Sequence, residues 1–422
     1  YTFYYNNESM QWEKIERDSV DELNHIVYSR TNHFTDYING ILKTPETSDA
    51  MAYTPTSIKD LKAAEPLNGI TMMSPPQANN KGTANLNYPI TIPQGRRGMQ
   101  PDLNITYNSS GGSSWLGLGW DLSVSCISVE TRWGVPLYNE IYETETYLLD
   151  GETLVTGYED ENDKLILNKP AYRRDFDLRY ADGMQFYPRV EGAFKTIIRH
   201  GTTPQNYWWE VIDKNGTRYF YGKKIETNEL NPNSVLSSIS QDIEKRNIAK
   251  WYLTEVRDVY NNNIKYNYNT FLSNENTIGQ QVYLSNINYT GQGDQLGNYN
   301  ISFTIDTERK DATNSGRYGF KEVNDLLLKK IDIISGMTDT INTICFAFTE
   351  GAFGKTLLCS FVELDSLERQ GFDFSEACFE QPKLKKHIFE YEYESINNSF
   401  NFLRKIYTKE FSDISLDELN RF

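Results

Sequence analysis

The sequence predicts an all-β fold of antiparallel hairpins and meanders forming an extended sheet, on three grounds. It is rich in strand formers, with 29 Tyr and 21 Phe in 422 residues, and aromatic side chains suit a pleated, half-buried surface. Its apolar runs are short and alternate with polar residues at period two, the signature of strands with one buried face. These runs are joined by brief turns rich in Asn, Asp and Gly, and βαβ spacing is absent.

The totals exclude several classes of function. A formal net charge of −16 argues against nucleic acid, which needs a basic footprint, and against an anionic membrane surface. No apolar run approaches the roughly 18 residues of a membrane helix, so no membrane insertion is expected. The chain begins at Tyr1 without Met or a signal peptide and reads as a processed or partial segment.

Residues 1–43 admit two readings. Ser19-Val20-Asp21-Glu22 resembles a capping box that would start a helix lined by Leu23, Ile26 and Val27. Against it, Tyr1–Tyr5, Gln11–Ile15, His25–Tyr28 and His33–Ile38 are rich in β-branched and aromatic residues. The strand reading is preferred, which makes 1–43 the C-terminal part of a β-sandwich-like domain. From 44 to 81 the composition shifts to linker chemistry, with Pro45, Pro55, Pro66, Pro75 and Pro76 among Thr, Ser and Asn. A short helix is expected there over Thr56–Ala64, ended by Pro66.

Residues 82–400 form the main β domain, and 401–422 a link onward. Leu86, Tyr88, Ile90 and Ile92 alternate with small or polar residues, as do Leu103, Ile105 and Tyr107. Pro93-Gln94-Gly95 and Gly98–Pro101 supply turn chemistry between the two runs, which predicts a long hairpin. In Trp115-Leu116-Gly117-Leu118-Gly119-Trp120, glycines alternate with large apolar residues, as expected where backbone passes close beneath other backbone. Further on, Trp208–Asp213 and Thr217–Tyr221 flank Lys214-Asn215-Gly216, a strong hairpin signal. Trp251–Val259 with Ile264–Tyr268, and Val282–Tyr289 with Tyr299–Ile305, repeat the device. Leu326–Ile334, Thr343–Phe348, Thr356–Leu364 and His387–Tyr393 continue the meander. Ser237–Ile248 is the only other helical candidate.

Catalytic and metal constellations fail one after another. His25, His33, His200 and His387 lie far apart, without the close pairs that set metal geometry. No nucleophile elbow, P-loop or dinucleotide fingerprint appears. Asp306, Glu308 and Asp311 lack the compact spacing of a calcium loop. Arg189 and Glu191 read as a structural pair on one strand face. Trp208-Trp209 would make a sugar platform only if both faced outward, and adjacent residues on a strand do not. The sequons at Asn104, Asn215 and Asn288 carry little weight in an Asn-rich chain. Cys126, Cys345, Cys359 and Cys378 are too few for a disulfide scaffold and lack zinc spacing, and Cys126 is expected as a buried thiol. No catalytic residue, metal site or cofactor is expected.

One pattern is more specific than the rest. It runs through Pro89–Gly112, Leu116–Trp120, Ile127-Ser128, Arg132–Tyr138 and Tyr147–Glu152, fixing many Gly, Pro and aromatic positions in one order. It resembles the N-terminal domain of the Salmonella virulence plasmid B family, which also opens the B subunits of insecticidal toxin complexes and many large YD-repeat (Rhs-type) proteins. The resemblance implies an extended, curved β-shell around a C-terminal toxic region, in a secreted or bacterial cell-surface protein. The implied partners are the remainder of the same polypeptide or a capping chain, and a secretion-system component. The ADP-ribosyltransferase of the virulence protein lies beyond this domain, and no residue here matches it, so a non-enzymatic scaffold is expected. The sandwich-like N-terminal segment departs from the plain toxin subunits and keeps open a surface adhesin or secretion-system passenger whose shell displays binding loops. If the protein is exported, Cys359 and Cys378, which flank one loop containing Gly371, are expected to be bridged. Closing that loop would contribute on the order of 3 kcal/mol.

Overall fold

In a computed structural model, the described residues are 2–6, 11–15, 17–21, 26–30, 37–39 and 82–409, less short stretches at 163, 171–175, 180–181, 191, 241, 243–244, 274–278, 307–308, 337, 367, 372–384 and 393–401. The expected linker 44–81 and its short helix lie outside them, as do 401 and 410–422 of the expected link 401–422, whose residues Phe402–Lys409 form a strand instead. Strands make up 54% and helical turns 4%, with no α-helix among the described residues. The all-β expectation is therefore met.

The chain divides into two units, Tyr1–Ile70 and Thr71–Phe422. In the first, Thr2–Asn6 pairs antiparallel with both Gln11–Lys14 and Tyr37–Asn39, while Arg17–Asp21 pairs with Ile26–Ser29. Ser19–Asp21 is strand, so the capping-box alternative is overturned.

The second unit begins with the expected hairpin, Asn85–Pro89 against Asn104–Asn108. Leu86 and Tyr88 are buried and Asn85 and Asn87 exposed, as period-two alternation requires. Then comes a closed barrel of eight antiparallel strands: β1 (Cys126–Val129), β2 (Tyr147–Leu149), β3 (Glu152–Val155), β4 (Met184–Pro188), β5 (Thr196–His200), β6 (Trp208–Ile212), β7 (Arg218–Tyr221) and β8 (Ile248–Arg257). Closure comes from β8, whose residue Trp251 faces Ile127 on β1 while Val256, farther along, faces Tyr219 on β7. Eight strands leave a lumen just wide enough for side chains. Tyr147, Phe186, Trp209 and Trp251 fill it edge-to-face, with ring centroids 4.9–6.0 Å apart.

The far end of β8 leaves the barrel and founds the extended sheet. β9 (Asn262–Ser273), β10 (Gly279–Gln292), β11 (Tyr299–Asp306), β12 (Leu327–Ser335), β13 (Asp339–Glu350), β14 (Thr356–Asp365), β15 (Lys385–Glu392) and β16 (Phe402–Lys409) follow as an antiparallel meander. Val235–Ser237 pairs with β8. The helix expected over Ser237–Ile248 is absent among its described residues. Ser238 instead exchanges hydrogen bonds with Asn247, amide to carbonyl and amide to hydroxyl, which closes the stretch as a loop. Ser and Asn side chains compete with helical backbone bonds in this way.

The Gly-Trp segment lies across one face of this sheet. Trp115 sits 6.0 Å from the rings of Tyr283 on β10 and Phe303 on β11, and its carbonyl accepts from Leu328 on β12. Trp120 packs 4.4 Å from Phe389 on β15 and donates to the Tyr391 hydroxyl, which donates on to the Leu358 carbonyl of β14. Tyr88 donates to Glu363 at 2.6 Å. Arg309, with its side chain fully buried, donates to Ser113, Ser114 and Asp311, and Asp311 accepts from Thr356. Gly117 has φ +89°, and a Cβ there would lie 2.8 Å from the Thr356 carbonyl oxygen. Gly117→Ala should therefore cost about 2–4 kcal/mol, combining left-handed strain with a clash against backbone that cannot retreat. Denaturant unfolding measures it, and a loss under about 0.5 kcal/mol would mean that the close approach is not tight.

Candidate functional site

Three places in the second unit gather chemistry-bearing side chains. The first closes one end of the barrel. Glu143 and Glu145 lie two residues apart just before β2, so both carboxylates project to the same side. Arg199 on β5 makes a forked pair with Glu143 at 2.7 and 2.9 Å. Arg179 reaches Glu143 at 3.0 Å and Glu145 at 2.6 Å. Tyr147 donates to Glu143, the Tyr138 amide donates to Glu145, and the Arg199 guanidinium lies 4.0 Å over the Tyr207 ring. All four charged side chains are at most 5% exposed. Burial works against both guanidinium charges, yet it is outweighed, by Tyr147, Glu145 and Glu143 at Arg179 and by Tyr147, Glu143 and Tyr207 at Arg199, and both arginines are raised further. The two glutamates and the two arginines thus pair with one another. The network is a plug.

The second place is the seam between the Gly-Trp segment and the sheet. A cavity of about 360 Å³ lies there, lined in part by Asp121, Cys126, Tyr252, Lys250 and Glu322. Lys250 pairs with Glu322 at 2.6 Å, and Arg317 pairs with the other oxygen at 3.3 Å. Burial raises Asp121 above its usual range and the Cys126 thiol to about 11, so the thiol stays protonated and is no thiolate nucleophile. At the far end of the seam, His387 on β15 lies 4.7 Å from the Tyr88 ring and 4.5 Å from Phe361. Burial lowers its imidazole to about 4.

The third place is a cleft of about 790 Å³ on the outer barrel wall, over β5–β7. His200 stacks on Trp208 at 3.9 Å and sits between Asp182, at 3.5 Å, and Glu210, at 3.4 Å. His200 and Arg218 together hold Glu210 below the usual carboxylate range.

The residues weighed in the sequence fall as follows. Trp209 points into the lumen and Trp208 outward, but both are buried, at 0% and 7% exposure, so there is no open aromatic platform. Asp306 bonds Lys329 and Asp311 bonds Arg309 and Thr356, while Glu308 and Glu191 lie outside the described residues. No group of three potential metal ligands occurs among the described residues. Cys126, expected to be buried, is half-buried; it and the buried Cys345 are free, and Cys359 is disulfide-bonded. Cys378, its expected partner, lies outside the described residues. Sequence reasoning missed Glu143, Glu145, Arg179 and Arg199. The only trace was the Glu-Thr-Glu alternation leading into Tyr147, which reads as an ordinary solvated strand edge until the barrel closes over it.

A scan of family models matches residues 78–302 to the Salmonella virulence plasmid 65kDa B protein (SpvB) model. The chain belongs to this family. Among solved structures it is similar to the TcdB2-TccC3 complex, at 18% identity and a TM-score of 0.56, covering 77% of this chain and 17% of that one. The Photorhabdus luminescens Tc holotoxin pore is similar too, at 18% identity and a TM-score of 0.57, over 77% of this chain and 16% of that one. The N-terminal domain of effector protein SpvB from Salmonella typhimurium strain LT2 matches at 19% identity and a TM-score of 0.51, covering 65% of this chain and 98% of that one. These identities establish a shared fold. No curated protein sequence matches the chain.

Two outcomes follow for the buried charges. Arg199→Met should destabilise by about 3–5 kcal/mol, because it strands Glu143 without its forked partner. Pairing it with Glu143→Leu should recover a large part of that loss in a double-mutant cycle, and simple additivity would show that the two charges are not coupled. For His387 the folded pKa lies below the unfolded value of about 6.5. Its contribution is complete above pH 6.5 and is lost as pH falls toward 4, amounting to about 3 kcal/mol in full. Urea unfolding from pH 7 to 4 should therefore show a shallower decline for His387→Leu than for the natural chain, and parallel declines would contradict the assignment.

Proposed function

We propose that the second unit is a chemically inert wall segment of a large, secreted, toxin-complex-like protein, helping to enclose a C-terminal region of the same polypeptide. What carries this reading is the way hydrogen-bonding and charged groups are spent. The ion network plugs the barrel instead of lining a reaction site, and the signature segment is consumed in bracing the sheet. Family membership and the fold shared with toxin-complex chains support the same reading. The chain spans only 16–17% of the toxin-complex chains that it matches, so their wider activities and partners enter as proposals alone.

The partner in this reading is another stretch of sheet. β16 pairs with β15 through seven residue pairs, and no described strand takes its other side. A long edge left this way recruits a further strand or another chain. No turnover is expected, because acid–base catalysis needs positioned groups with tuned pKa values and a reacting position within reach. The chain in isolation should associate with rising concentration in light scattering, and the Phe402–Lys409 amides should exchange quickly at low concentration. A monodisperse monomer with those amides protected would mean that the edge is already closed, and the wall-segment reading would fail.

A further inference from the structure

A cavity of about 530 Å³ opens between the hairpin turn that carries Arg97–Gln100 and strands β7, β8 and β9. Ser123 and Val124 line both it and the seam cavity. Its apolar wall is Met99 and Leu103 from the hairpin, Leu253 and Val256 from β8, and Ile264 from β9. Tyr219 on β7 and Tyr266 on β9 add aromatic surface. Arg97 is the one cation among the lining residues.

The polar groups here leave donors over. Tyr266 is 6% exposed, yet its hydroxyl makes no hydrogen bond among the described residues and is not sealed from solvent. Burial, then the neighbouring Tyr219 and Asp102, raise its phenol, so it stays protonated and can donate. Arg97 is exposed and holds φ 54° and ψ 31°, the left-handed region that favours glycine. Its guanidinium stands 3.8 Å over the Tyr260 ring, and no carboxylate pairs with it among the described residues. The lining acceptors are already engaged. Asp258 accepts from the Tyr260 and Asn262 amides and from the Asn262 side chain, at 2.7–2.9 Å. Gln100 Oε1 accepts from the Gly95 amide, and Asp102, itself exposed, accepts from Asn104 at 2.7 Å.

We propose that this cavity binds a small amphipathic carboxylate, its aliphatic or arylalkyl body against the apolar wall and its oxygens accepting from Arg97 and Tyr266. A guanidinium matches a carboxylate in both charge and fork geometry. An amine would bring further donors to a site that already has too many, and an alcohol would leave the guanidinium charge without a counterpart. A dianionic phosphate would meet the Asp102 charge with a single cation to offset it. The volume falls within the range of small-molecule sites, where apolar walls and a few placed polar groups are the rule.

The test is calorimetric titration of the whole chain with octanoate and phenylpropanoate, set against octylamine and octanol. The carboxylates should bind saturably and more tightly than the amine or the alcohol. Tyr266→Phe deletes a hydroxyl that bonds no described residue, and Arg97→Gly supplies the residue suited to a left-handed turn. Each should weaken carboxylate binding roughly fivefold or more, while the unfolding midpoint stays within a few degrees. Asp102→Asn, at an exposed position, should tighten it roughly twofold by removing a nearby like charge, and it keeps the test open if either other variant unfolds. No saturable binding of either carboxylate up to millimolar concentration would overturn the proposal. Amine binding as tight as carboxylate binding would do the same, as would folded Tyr266→Phe and Arg97→Gly variants that bind unchanged, or an Asp102→Asn variant that binds no tighter. None of these results bears on the wall-segment reading, which does not use this cavity.

Discussion

The close passage of the Gly-Trp segment beneath the sheet is the constraint on which the rest of the second unit depends. Gly117 runs against the backbone of β14, and the two tryptophans on either side reach in opposite directions, Trp115 to β10 and β11 and Trp120 to β14 and β15. One short stretch thus reaches strands as far as 271 residues along the chain from it. In a broad antiparallel meander each strand bonds only its neighbours, so beyond the intrinsic twist distant strands have no direct reason to hold one arrangement. A strap that bonds several strands at once supplies that reason, and the tight backbone approach lets few side chains substitute for glycine.

The barrel and the sheet are joined by a single strand. β8 closes the barrel at one end and opens the sheet at the other, so the packed lumen and the strapped wall share one piece of backbone. Lys250 on β8 ties the junction to Glu322, next to the one parallel bridge among the described strands of the sheet, at Gln280 and Glu322. The ion plug then caps the lumen. Such networks tend to set which arrangement forms more than how stable it is, and a forked Arg–Glu pair tolerates few alternative registers of the loop before β2.

Most of the fold was legible because strands and turns announce themselves locally. The alternation at Leu86, Tyr88, Ile105 and Tyr107, the Asn-Gly turn after Asp213 and the alternating glycines before Trp120 each behave as their local chemistry requires. Barrel closure was not legible, since the pairing of Trp251 with Ile127 is a long-range event that no local pattern encodes. The plug was hidden for the same reason. Glu143, Arg179 and Arg199 are ordinary charged residues in sequence and become a buried network only after separate segments of the chain meet. Ser237–Ile248 misled because its composition tolerates a helix, while the pairing of Ser238 with Asn247 decides otherwise.

The most direct test of the strap is site-resolved amide exchange on a Trp120→Ala variant. If the segment holds the curvature of the sheet, protection should fall in Thr356–Asp365 and Lys385–Glu392 as well as beside the substitution, while the barrel strands keep theirs. Loss of protection confined to Asn104–Asp121 would show that the sheet keeps its form without the strap, and would contradict the role assigned to the Gly-Trp segment.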